Sequence, residues 1–113
     1  HGDYPQVVRE LAAAEHLALI DLDRASTVLY ETLGPARSAL AFSDGGHDIT
    51  HHDNYGAYEL AKCVVQGIRD ARLPLASEIV PEFAGFDPAH PDAPETFQLA
   101  ASPVRNQAPL RGN

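Results

Sequence analysis

Hydrophobic positions along the chain change their period several times, and each change predicts an element. Val7, Val8, Leu11, Ala12 and Ala14 recur at helical spacing. With Pro5 suited to a first turn, they predict an amphipathic helix over residues 5–16. The run LALIDL at residues 17–22 is nearly continuous in apolar side chains, the pattern of a strand buried on both faces of a parallel sheet. A helix followed by such a strand predicts an α/β layered fold.

A second helix is predicted from a cap at Asp23 to about Leu33, with Ala25, Val28, Leu29 and Leu33 inward and Gly34-Pro35 as its stop. A short helical turn over 35–41 follows. Residues 42–54, FSDGGHDITHHDN, hold no sustained period and many turn formers, so they read as a loop. From Tyr55 the helical period returns: Ala57, Tyr58, Ala61, Val64, Val65 and Ile68 share one face, and Glu59, Lys62, Gln66, Arg69 and Asp70 lie mostly on the other. Asn54 suits the N-cap, and the helix should end near Arg72 because Pro74 disfavours helical geometry just before it.

Beyond residue 73 no period lasts more than a turn, and seven of the nine prolines fall there. Ile79, Val80, Phe83, Phe86, Phe97 and Leu99 are spread along this stretch, which predicts an extended arm packed on a surface. The expected organisation is therefore residues 1–73 as part of an α/β domain and residues 74–113 as a proline-rich arm. A single parallel-type strand cannot pair its own backbone groups. The 113 residues are thus expected to be the C-terminal portion of a larger domain, completed by further residues, another chain or strand exchange.

Charge narrows the partners. Sixteen acidic against eight basic side chains give a formal charge of -8, which opposes binding to nucleic acid or to an anionic membrane surface. No run approaches the ~18 apolar residues of a membrane helix, and no signal peptide is visible at the N-terminus. Cys63 is alone, so there is no internal disulfide, and its place in an apolar helical pattern predicts a buried, unreactive thiol.

The chemistry-bearing residues concentrate in the loop. Asp48 and His51 offer a carboxylate and an imidazole three residues apart, the pair from which a general base is made. His47, Asp48, His51, His52 and Asp53 also include enough donors for a divalent ion, and a solvated loop carries polar side chains in any case. The spacing alone leaves these readings open.

Read at full length, DITHHDNYGAYELAKCVVQGI at residues 48–68 resembles the last block of the SGNH or GDSL-type ester hydrolases, in which Asp-x-x-His precedes Gly-Ala and a final helix. Asp48 and His51 fall on the aspartate and histidine of that block, and Gly56 and Ala57 on the start of its helix. The upstream GDYPQVVRELAAAEHLALIDLDRASTVLYETLGP, residues 2–35, is similar to the carbohydrate-active branch typified by rhamnogalacturonan acetylesterases.

The resemblance implies a three-layer α/β/α fold of flavodoxin-like type, of which this chain would be the C-terminal part. It also implies a serine esterase that removes acetyl groups from carbohydrate and needs neither metal nor organic cofactor. His51 would be the base, Asp48 its orienting carboxylate, and His52 a wall or substrate contact. Asp53 and Asn54 are expected to cap the helix, and Tyr55 and Tyr58 to pack.

The family's Gly-Asp-Ser and Gly-x-Asn-Asp blocks do not occur in these residues. The serine and the oxyanion-hole donors are therefore expected outside them, and the chain alone is expected to be inactive. Ser26, Ser38, Ser43, Ser77 and Ser102 read as surface or capping hydroxyls. By analogy with bacterial polysaccharide esterases, the resemblance implies a periplasmic or extracellular place. The alternative of a different class is a small metal-binding or protein-interaction module built on loop 47–53.

Overall fold

LALIDL forms no strand. In the computed structural model, which describes residues 2–99, residues 17–21 run without regular structure between two helices. Leu17 and Leu19 stand 63% and 37% exposed. The physical reason is the one that made the run suspect: a strand persists only where neighbouring strands satisfy its backbone. Among the described residues none does, and the one bridge of β type joins Phe42 to His52. The expected three-layer α/β/α arrangement is therefore overturned: the described residues form helices, turns and an arm, with no sheet.

Three helices carry the structure: α1, Tyr4–Ala14; α2, Leu22–Ser38; and α3, Asn54–Asp70. Helix α2 starts with the Asp21 carboxylate accepting from Arg24 N at 3.1 Å, so its cap lies two residues before the expected Asp23. Gly34, at φ 73°, breaks the helical path. Only glycine takes that conformation at little cost, and Pro35 then restarts the turn. The 3-10 turns Ala39–Ala41 and Ser43–Gly46 lead into the polar loop.

The core is small: Leu29 and Leu33 of α2, Ala41, and Tyr55 of α3 are buried, with Tyr30, Phe42, Leu60 and Phe97 packed against them. Helix α1 is held at the start of α2 chiefly by charge. Arg9 donates to Asp21 at 2.7 and 3.0 Å and to Asp23 at 2.8 Å. Its apolar side chains Tyr4, Val7, Val8 and Leu11 remain more than half exposed.

Helix α3 presents a different face from the one its pattern predicts. Tyr55, Gly56, Glu59 and Cys63 are buried, whereas Ala57, Tyr58 and Ala61 are exposed. The arm decides this by packing against the polar stripe. Tyr55 Oη donates to Asp92 O at 2.8 Å, and Arg69 donates to Phe83 O at 2.7 Å. Phe86 N donates to Gln66 Oε1 at 3.0 Å, and Arg37 of α2 grips Glu95 through two bonds of 2.9 Å.

Glu59 is fully enclosed, and its close polar partner is the ammonium of Lys62. Lys62 Nζ lies 2.7 Å from Glu59 Oε1 and 2.9 Å from Asp92 Oδ2, so the carboxylate is balanced by charge. Burial pushes the Glu59 carboxyl above the usual range.

Candidate functional site

The loop that carries Asp48 and His51 is closed at its base by backbone pairing. Ser43 N donates to His51 O at 2.8 Å and Asp53 N donates to Ala41 O at 3.1 Å, on either side of the Phe42–His52 bridge. Asp53 then caps α3, its carboxylate accepting from Gly56 N at 2.9 Å. The expected capping role thus falls on Asp53, with Asn54 the first helical residue.

Gly56 is required by a close approach. A methyl there would overlap the Ala41 carbonyl oxygen and lie 2.9 Å from His52 Cδ2 and 3.0 Å from the Ala41 carbonyl carbon. The absence of a side chain lets the first turn of α3 lie directly against the base of the loop.

Within the loop, Asp48 folds back on the residues after it. Its Oδ1 accepts from Thr50 N at 2.9 Å and His51 N at 3.1 Å, and its Oδ2 lies 2.8 Å from His51 Nδ1. The two backbone N–H groups and the imidazole hold its pKa down to about 2. An ionised carboxylate only accepts, so the ring proton belongs on Nδ1. Nε2 is thereby left with its lone pair outward, and it meets no hydrogen-bond partner among the described residues. The side chain of His51 is 77% exposed.

His52 faces the opposite way. Its ring stacks 12° from parallel with Tyr30 at 6.3 Å and lies 4.5 Å from Phe42, and its Nε2 is 2.6 Å from the Tyr30 hydroxyl. Burial pushes the Tyr30 phenol up, keeping it protonated as a donor. His52, Tyr30, Phe42 and Thr50 share the wall of an open cleft of about 610 Å³ between α2, α3 and the loop.

The structure brings Asp48 and His51 together, sets His52 next to them on the inner side, and leaves His47 exposed. Among the described residues no three histidine, cysteine, aspartate or glutamate side chains converge as metal ligands. The described serines all turn to local backbone: Ser26 to Asp23 O, Ser38 to Pro35 O, Ser43 to His52 O and Ser77 to Pro74 O. Ser102 lies outside the described residues.

Sequence reasoning missed two features. Asp87 and His90 of the arm make a second pair of the same kind, with 2.8 Å between Oδ2 and Nδ1 and Ala89 N donating to Asp87 Oδ1 at 2.9 Å. Its signal was legible in DPAH, which repeats the Asp-x-x-His spacing. It shows that the pair is a local turn device, so distance alone does not mark a base. Loop 43–53 differs in being tied by its backbone to the buried core. Tyr30 is the other omission, and no local signal announces it from 22 residues away.

No family model matches the chain, and no solved structure matches it. Two curated proteins of Bacillus subtilis (strain 168) do. The rhamnogalacturonan acetylesterase RhgT is 37% identical over 90 residues, covering 70% of this chain and 39% of its own length. The probable rhamnogalacturonan acetylesterase YesY is 37% identical over 82 residues, covering 71% of this chain and 38% of its own. The chain spans about two-fifths of the length of the curated relatives it matches. Over the matched residues, this chain is related to the rhamnogalacturonan acetylesterases.

Proposed function

We propose that this chain contributes the base and its orienting carboxylate to a serine ester hydrolase of the SGNH type acting on acetylated carbohydrate. The observation that carries the reading is the Asp48–His51 pair, Nδ1 held on an ionised carboxylate and Nε2 facing outward, on a loop fixed to the core at both ends. The relatives' names supply the substrate class.

In this reaction His51 Nε2 takes the proton of a serine supplied by residues beyond these 113. The serine oxygen adds to the acetyl carbonyl, and backbone donors from the same outside residues hold the negative oxygen of the tetrahedral intermediate. The imidazolium then gives its proton to the departing sugar hydroxyl, leaving an acetyl-serine. Water, deprotonated by His51, adds to that ester; as the intermediate collapses, the imidazolium returns the proton to the departing serine oxygen and acetate is released. Asp48 keeps the ring in one tautomer and stabilises its charged form. The half-buried His52 forms a wall of the adjoining cleft.

The exposed apolar side chains of α1 and of residues 17–19 are consistent with further polypeptide covering that side. In the full-length protein, His51→Ala should lower turnover of an aryl acetate and of acetylated rhamnogalacturonan by about 10³-fold or more. Activity within tenfold of the parent rejects His51 as the base.

A further inference from the structure

We propose that Tyr30, acting through His52, is the positioning residue that fixes the direction His51 faces. The inference rests on His51 being the base. His52 pairs with Phe42 in an isolated bridge, flanked by the bonds Ser43 N to His51 O and Asp53 N to Ala41 O. Seating the His52 ring against Phe42 and Tyr30 fixes the backbone next to His51, whose own ring stands 77% exposed on the other side.

Among the described residues, the Tyr30 hydroxyl is the one hydrogen-bond partner of the His52 ring. The Asp48–His51 bond orients the ring relative to its own turn, and the Asp87–His90 pair shows that the same bond forms in an unrelated turn of the arm. Asp44, Gly45 and Gly46, at φ 53°, 62° and 88°, build the far side of the loop from left-handed backbone. Gly46 packs on Ala39, and backbone bonds close the base of the loop. The Tyr30 hydroxyl adds the side-chain anchor: it comes from helix α2, next to the fully buried Leu29, and meets His52 Nε2 at 2.6 Å.

With the Tyr30 phenol donating to Nε2, the His52 ring proton sits on Nδ1. Losing one such bond lowers the anchored population by about fivefold. Tyr30 does not touch the reacting atoms, so the effect falls on kcat and not on KM.

The test is a kinetic series in the full-length protein with an aryl acetate: Tyr30→Phe, His52→Leu, His52→Gln, the Tyr30→Phe/His52→Leu double variant, and His51→Ala. Tyr30→Phe and His52→Leu should each lose about fivefold in kcat at unchanged KM. His52→Gln, whose amide reaches the position of Nε2, should restore kcat to within twofold. The double variant should be no worse than the weaker single, because both remove the same bond. In parallel, ¹⁵N–¹H spectra of the 113-residue chain should show His52 as the Nδ1–H tautomer, and Tyr30→Phe should mix the tautomers.

An inactive His51→Ala beside a fully active Tyr30→Phe overturns the anchor alone. A rise in KM for His52→Leu without a fall in kcat also overturns it, assigning His52 to substrate instead. An active His51→Ala overturns both the anchor and the catalytic reading.

Discussion

Gly56→Ala adds one methyl group where the first turn of α3 meets the base of the loop. That methyl overlaps the Ala41 carbonyl oxygen and lies 3.0 Å from the carbonyl carbon, at least about 0.5 Å inside the preferred carbon–carbon separation. The crowded group is backbone, and it is fixed twice over: Ala41 is fully buried, and its oxygen accepts from Asp53 N. Helix propensity alone would favour alanine by up to about 1 kcal/mol. Against that stand about 1–3 kcal/mol of overpacking and about 1 kcal/mol if the Ala41–Asp53 bond opens.

The net expectation is a loss of about 2 kcal/mol, or a fall of roughly 8 °C in Tm for a chain of this size. Urea unfolding followed by circular dichroism measures it. The Asp48–His51 bond should loosen with it, visible as broadening of the His51 ring resonances. A variant as stable as the parent would refute the claim that glycine is needed for this approach. Gly67→Ala is the internal comparison: its methyl would lie 2.5 Å from Ile20 Cγ2 and 3.3 Å from Ile20 Cβ, but Ile20 belongs to the irregular segment 17–21, which can yield as a whole, so this variant should cost less than Gly56→Ala.

Four further outcomes follow from the same geometry. Lys62→Met leaves the enclosed Glu59 carboxylate without its cation and should destabilise by about 3 kcal/mol in urea, whereas Asp92→Asn, at a 58% exposed side chain, should cost under ~1 kcal/mol. Because burial raises the folded Glu59 pKa, protonation relieves the strain, so the Lys62→Met deficit should shrink as pH falls from 7 toward 4; a pH-independent deficit contradicts this. The Asp48 carboxyl, depressed from 3.8 to about 2, favours the folded loop above pH 4 and loses that contribution as pH falls through about 2, and a ¹³C titration midpoint at or above 3.8 would disprove the pairing. The 113-residue chain alone should release no acetate from an aryl ester, because its described serines are bound to backbone carbonyls; robust turnover would reveal a nucleophile among these residues.

Local signals were sufficient for much of the chain. Helical periodicity located α1, α2 and α3, the Gly34-Pro35 break is where φ turns positive, and the Asp48–His51 pair follows from three-residue spacing within one turn. These depend on neighbours a few residues apart, which is the range over which sequence pattern and backbone geometry are tied. LALIDL shows the limit. Apolar character says that a segment seeks cover but not what covers it, and without a partner row the described chain leaves it irregular.

Only the tertiary structure decided which face of α3 is buried. Asp92 of the arm, thirty residues from Lys62, meets its ammonium at 2.9 Å, and Lys62 in turn balances the buried Glu59 of its own helix, overriding the amphipathic pattern. It alone also set Tyr30 against His52 and Gly56 against Ala41. Those contacts join positions separated by 22 and 15 residues, and such distances carry no periodic trace in the sequence because the contacts exist only once helix and loop have packed.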